Sequence, residues 1–214
     1  MYQFSFKHNP PEEILCLGAH CDDIEIGCGG TLLSLLASHA ELRVRWLIFS
    51  GGESRSEEAI RSADLFGDGR IEILIHDFQD GYFPYIGSGI KNCFESLKTS
   101  CAPDIIFTHH LGDFHQDHRL VAELSRNTFR DHLILEYEIP KYDGDLSRPS
   151  WYFPLSQNVL DTKISYLERS YPSQRGRSWF DKRTFEGIAR LRGIESNSKS
   201  GFAEAFHCRK MVIF

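Results

Sequence analysis

The chain has 214 residues, 41% of them hydrophobic and 25% charged, with a formal net charge of -6. That length and balance describe one globular domain, or a domain with a small cap, and enough apolar residue for a sizeable core. The acidic balance argues against general nucleic-acid binding, which needs a basic footprint, and no run approaches the ~18 apolar residues of a membrane span.

Strand and helix signals alternate through the first two thirds of the chain. Ile14–Ala19 is a short apolar run and reads as a buried strand. Gly27–Ser38 reads as a glycine-opened helix, Leu42–Ser50 as a second strand, and Glu57–Phe66 as a helix stopped by Gly67. A third strand spans Ile71–Phe78, a helix Ile90–Leu97, and a fourth strand Asp104–His110 after Pro103. His118–Phe129 is a further helix and Leu133–Ile139 a fifth strand. This alternation predicts a Rossmann-like, doubly wound, mostly parallel sheet with strand order 3-2-1-4-5. After Pro140 the text turns loop-like (KYDGDLSRPSWYFPLS), followed by helical patterns near Asp161–Tyr171 and Lys182–Arg192 and a final strand in His207–Phe214. Residues 1–140 are therefore read as the catalytic sheet and 141–214 as a smaller C-terminal cap over its carboxyl edge, within a single domain.

Two segments carry chemistry: His20-Cys21-Asp22-Asp23 after the first strand and His115-Gln116-Asp117-His118 after the fourth. Both fall where a parallel sheet delivers the carboxyl ends of its strands. If strands one and four are neighbours, the segments face each other across the switch crevice. Two imidazoles and a carboxylate with an open position make a catalytic zinc site. His20, Asp23 and His118 fill that description, with one Zn2+ per chain. Zinc lowers the pKa of its water to about 7 and polarises a carbonyl. Asp22, beside the ligands, is the candidate base. His115 shares a helical face with His118 and is the candidate proton donor or oxyanion stabiliser. Asp117 is placed to orient a histidine.

These residues resemble a known family. Ala19-His20-Cys21-Asp22-Asp23 followed by Gly27-Cys28-Gly29-Gly30-Thr31 is similar to the A-H-P-D-D-E…G-G-T signature of the LmbE/PIG-L-like deacetylases, and His115-Gln116-Asp117-His118-Arg119 to that family's H-x-D-H motif. The likeness extends to Gly52-Glu53 with Arg55 and Glu58, and to Ser173-Gln174 and Ala203-Glu204. It implies a Rossmann-like fold and zinc-dependent removal of an acetyl group from an N-acetylglucosamine-type derivative. It also implies His20, Asp23 and His118 as ligands, Asp22 as base and His115 as electrophilic partner. Cys21 stands where the family has Pro, and Ile24 where it has Glu, with Glu25 one place later.

The remaining features have plainer readings. His109 and His110 end the fourth strand with side chains on opposite faces, and packing and hydrogen bonding are expected of both. Gly27, Gly29 and Gly30 lack the G-x-G-x-x-G spacing, and the acids before them would repel a pyrophosphate, so they allow close helix–strand packing. Arg55 and Asp80 follow the second and third strands and are candidate substrate contacts on the functional edge. Arg175 and Arg177 flank Gly176 in a loop and are candidates for an anionic group of the substrate, nucleotide- or carrier-linked. Six scattered cysteines without a C-x-x-C pair, and an opening MYQFSFKHNPPEE with no apolar core, lead to a cytoplasmic protein with free thiols. The expected partner is a small amino-sugar substrate, with homo-oligomerisation left open. The alternatives are a zinc amidase acting on a non-sugar amide or thiol conjugate, and a catalytically silent sugar-binding relative.

Overall fold

The computed structural model describes residues 4–6 and 9–212. Five strands run parallel: β1 (Glu13–His20), β2 (Arg43–Ser50), β3 (Ile71–Ile75), β4 (Ile105–His109) and β5 (Leu133–Tyr137). They lie in the order 3-2-1-4-5, so the doubly wound topology is as expected, with β1 and β4 neighbours at the point where the order reverses.

The alternation of side chains along each strand supplies both faces of the sheet. Ile14 and Cys16 of β1 join one core with Val44 and Trp46 of β2, while Leu15, Leu17 and Ala19 join the other with Leu47 and Phe49. The first core is covered by α1 (Asp23–Ser38), α2 (Glu53–Gly67), α5 (Gln157–Ser170) and α6 (Lys182–Glu195). The second is covered by α3 (Gly87–Ser100) and α4 (Gln116–Thr128). A Cβ added at Gly27 would stand 2.3 Å from the Tyr137 ring, and one at Gly30 2.7 Å from Leu155. The glycines of α1 thus let the helix lie close on the sheet.

Residues 141–214, expected as a cap, extend the sheet and cover one of its faces. β6 (Trp151–Leu155) and β7 (Phe202–Cys208) extend it, with β7 antiparallel to β5 and β6 antiparallel to β7, giving seven strands in the order 3-2-1-4-5-7-6. The final strand lies earlier than the His207–Phe214 expected for it, and residues 213–214 lie outside the described residues. From β7, Glu204 accepts the backbone N–H groups of Gly30 (2.8 Å) and Thr31 (2.7 Å) and the ammonium of Lys163 from α5 (2.6 Å). Lys163 also donates to the carbonyl of Ile26 at 2.7 Å. A buried ion pair therefore braces α1 in mid-helix, and α1 begins at the site. Among the described residues no helix is long and apolar enough to cross a membrane.

Candidate metal centre and active site

The chain turns from β1 into α1 within two residues. Asp22 takes φ 100, a left-handed conformation uncommon for a residue with a side chain and frequent at functional sites. The helix starts at Asp23, four residues before its expected start, because the acidic stretch forms its buried first turn instead of a loop. Asp23 folds back so that its Oδ2 accepts the N–H of His20 at 2.7 Å. From the other side, His115 ends the loop after β4 as the N-cap of α4 and His118 lies in that helix's first turn.

The turn and the loop meet. His20 Nδ1 and His118 Nε2 are 3.2 Å apart, Asp23 Oδ2 is 3.5 Å from the first and Asp23 Oδ1 3.6 Å from the second. Zinc bonds of 2.0–2.2 Å in a tetrahedron place neighbouring donors about 3.3 Å apart. The two imidazole nitrogens have that spacing, and Asp23 approaches each of them through a different oxygen, so the chemistry of the three side chains fits a zinc ion. Among the described residues the groups of donor atoms lying within 4.8 Å of one another are His20–His115–His118, Asp23–His109–His118 and His20–Asp80–His115–Asp117. His109 is fully sealed from solvent, and its Nε2 takes the N–H of Ala19 at 2.9 Å. The same nitrogen lies 3.1 Å from Asp23 Oδ2, so the ring lies under the cluster against a proposed ligand, stacked on His118 at 3.9 Å.

The charges around these donors oppose one another. Burial alone would raise the Asp23 carboxyl, but His118, His109 and His20 hold it well below its ordinary range. Burial lowers His20, yet Asp117, Asp23 and Asp80 raise it well above that of a free imidazole. His118 is pushed down to about 4 by burial and the neighbouring His109, against the pull of Asp23 and Asp113. Asp22 is pushed up to about 7 by burial, with Arg55 opposing and Asp23 and Glu25 assisting.

Asp22 is held by one oxygen. Arg55 Nη2 lies 3.1 Å from its Oδ1, while Oδ2 is buried with no hydrogen-bond partner among the described residues. Arg55, expected to reach substrate, turns its donors onto the protein. It binds the carbonyl of Cys21, Glu58 (3.3 Å) and Ser173 (3.1 Å), and it lies over the Tyr171 ring. Glu58 in turn accepts the Ser173 hydroxyl at 2.6 Å.

His115 is half-buried, 4.9 Å from the ring of His20 and 4.6 Å from that of His118. Its Nδ1 accepts the Asp117 N–H at 3.3 Å, and a neutral ring so arranged carries its proton on Nε2. Burial and the neighbouring His20 lower its pKa, which favours that neutral form. Asp117 is fully buried. It accepts the N–H groups of Gly81 (2.7 Å) and Phe83 (3.1 Å) and lies 3.2 Å from His20 Nε2, which also has Asp80 at 3.0 Å. Asp80 is 72% exposed, so its second oxygen faces solvent at the rim.

The structure does not bring Arg175 and Arg177 into this cluster. Both are exposed on the α5–α6 connection, where Arg175 donates to the carbonyl of Glu168 at 2.8 Å. Cys21, in the place of the family's Pro, directs its thiol to the carbonyl of Ser50 at 3.7 Å, and burial pushes that thiol up to about 12. Glu25 is fully buried beneath the turn and takes the Tyr171 hydroxyl. Sequence reasoning missed Asp113, whose Oδ2 accepts His118 Nδ1–H at 2.9 Å and whose Oδ1 accepts the His115 N–H at 2.7 Å. The available signal was a carboxylate five residues before a candidate ligand.

A doubly wound sheet with a histidine–aspartate cluster at its switch point defines an α/β scaffold with a candidate metal site, and the comparisons name the family. The family model described as PIG-L, GlcNAc-PI de-N-acetylase, matches residues 15–129, and the chain belongs to that family of deacetylases. It is 28% identical over 150 residues to the uncharacterized deacetylase YaiS of Escherichia coli (strain K12), covering 62% of this chain and 76% of that protein. Its fold is similar to the N,N'-diacetylchitobiose deacetylase of Pyrococcus horikoshii (TM-score 0.68, 19% identity, 94% of this chain and 86% of that one). It is also similar to GalB, the 4-carboxy-2-hydroxymuconate hydratase of Pseudomonas putida KT2440 (TM-score 0.72, 15% identity, 95% and 98%).

Proposed function

We propose that this PIG-L family deacetylase is zinc-dependent and removes the acetyl group from an N-acetylated amino sugar. The observation that carries the reading is the pairing of two features. Two imidazoles 3.2 Å apart, His20 and His118, with the Asp23 carboxylate 3.5 Å from one and 3.6 Å from the other, lie beside a buried carboxylate, Asp22, with one oxygen free. A zinc ion held by those three residues would polarise the amide carbonyl and make water acidic enough to attack near neutral pH.

The protein's own groups supply the rest. Asp22 Oδ2 accepts the proton of the attacking water, while Arg55 keeps Oδ1 in place; a carboxylate with a raised pKa is matched to that task. His115 presents Nε2–H to the oxygen that becomes negative, the role of an oxyanion-hole donor. Asp117 holds the far nitrogen of His20 and so sets that ring's orientation. Water and the N-acetyl group become acetate and a free amine, which takes up a proton as it leaves. The exposed oxygen of Asp80 suits a sugar hydroxyl at the rim. Arg175 and Arg177 suit an anionic carrier, because the guanidinium fork matches two oxygens at once.

The test is metal analysis combined with an acetate-release screen over N-acetylhexosamines in free, nucleotide-linked and lipid-linked form. The reading expects about one zinc per chain and release from at least one sugar class. Zinc-loaded protein that releases acetate only from non-sugar amides would overturn the substrate assignment. Changing Arg175 and Arg177 together to Ala should raise KM for a charged substrate more than for the bare sugar, and equal effects would remove both from the site.

A further inference from the structure

The loop that carries His118 is gripped by a residue that sequence reasoning left aside. Asp113 Oδ2, which accepts the Nδ1–H of His118 at 2.9 Å, also lies 2.9 Å from Lys141 Nζ. Both charged side chains are largely closed to water, with Lys141 at 11% exposure and Asp113 at 3%. Lys141 also pairs with Asp145, whose carboxylate accepts the N–H of Phe114 at 2.7 Å. An ammonium shared between two buried carboxylates therefore stands one carboxylate away from a proposed zinc ligand.

Two consequences oppose each other. A carboxylate behind a ligating imidazole draws on its N–H and strengthens the nitrogen that faces the metal. Lys141 draws on the same oxygen, so less of that pull reaches His118, and its charge also repels a cation nearby. Both effects weaken the hold on a metal ion. The second consequence is mechanical, since Lys141 and Asp145 tie the β5–β6 connection to the loop and fix Asp113 in place, which strengthens that hold. Burial decides between them. Charge–charge effects are strong where water is excluded, and Asp113 has a separate anchor in the His115 N–H.

We propose that Lys141 is a positioning residue that acts through Asp113 and lowers the affinity of the His20–Asp23–His118 set for zinc. The proposal rests on the zinc reading above. Its test measures zinc affinity by competition with a chromogenic chelator, at one pH, for the wild type and for Lys141→Met, Lys141→Gln and Lys141→Arg. Melting curves of the metal-free proteins are recorded beside it. Lys141→Met should bind zinc on the order of tenfold tighter than the wild type. Lys141→Gln keeps an N–H for Asp113 without the charge and should also bind tighter, while Lys141→Arg should stay near the wild type.

A residue that only braced the loop would give the opposite sign. Weaker or unchanged zinc binding in both Met and Gln variants overturns the proposal. Where Lys141→Met melts too low to be studied, the Gln variant decides alone. A wild type that takes up no zinc in this titration overturns the reading of the site itself, whereas zinc held equally by wild type and variants overturns only the role of Lys141.

Discussion

The two segments that build the site reach their geometry by different routes. The β1–α1 turn sets His20, Asp22 and Asp23 within four residues. Its means are mostly local, a left-handed Asp22 and a carboxylate that folds back to the N–H of His20, with Arg55 of α2 as the one long-range hand on Asp22 and the Cys21 carbonyl. The loop before α4 is assembled from a distance. Lys141 grips Asp113, Asp145 takes the N–H of Phe114, and Asp117 is anchored by Gly81 and Phe83. A tight turn carries its own conformation in its sequence, whereas a longer loop takes its shape from the scaffold around it.

The largest expected effect lies inside the turn, where chemistry and metal binding are one residue apart. Asp22→Asn keeps the shape of the side chain but cannot take a proton. Acetate release should fall by about 10² to 10⁴, mainly in kcat, with zinc retained. Asp23→Ala should lose zinc and activity together. Zinc content and steady-state rates on both variants check the division, and an Asp22→Asn protein that loses zinc while Asp23→Asn keeps it would exchange the two roles.

Glu204→Ala asks whether the turn is as self-contained as it looks. It leaves Lys163 buried without its partner, which costs about 3–5 kcal/mol. For a chain of this size that is a melting drop of roughly 6–20 °C. Zinc affinity of the folded protein should not change, because the turn does not lean on Glu204. A parallel loss of zinc affinity would show that the brace on α1 shapes the turn, and the comparison between the two segments would fail.

The loop should be sensitive where the turn is not. Asp113→Asn removes the acceptor charge behind His118, and zinc affinity should drop about 10- to 100-fold. Chelator competition reads this directly, and an unchanged value would mean that the loop holds His118 without Asp113. The smallest effect is expected at the edge of the turn. Ser173→Ala removes one hydroxyl from the Glu58–Arg55 network behind Asp22. Stability should fall by about 1 kcal/mol, and kcat should fall less than in Asp22→Asn with zinc unaffected. A loss equal to that of Asp22→Asn would make Ser173 part of the chemistry.

Legibility in the sequence followed the same division. His20, Asp22 and Asp23 stand together after an apolar run, and His115, Asp117 and His118 stand together after another. Both groups can be placed at the switch point from the sequence pattern. Their supports could not be read. Asp113 and Lys141 are far apart in sequence and meet only because β4 and β5 are neighbours. Arg55 was legible as a functional-edge residue, but its direction, inward to Asp22 and not outward, depends on Ser173 and Tyr171 arriving from the α5–α6 connection beside Glu58 of its own helix.

The sequence by itself determined the parallel core, since the alternation of apolar strand and amphipathic helix is a local pattern and chain connectivity then restricts how such units stack. It also determined the chemistry on offer, because ligand and base candidates lie within a few residues of one another. Only the tertiary structure decided how the sheet ends. The stretch that holds β6 reads as loop, with Pro149 just before the strand and Pro154 within it, yet the strand lies at the sheet's outer edge, where a residue without an N–H is tolerated. Only the tertiary structure decided, too, that His109 is a sealed floor and His110 part of a separate cluster with Glu136 and Ser147. The two histidines are adjacent and chemically identical, and strand alternation separates them, but what each one meets is set by the strands and helices that close over the two faces.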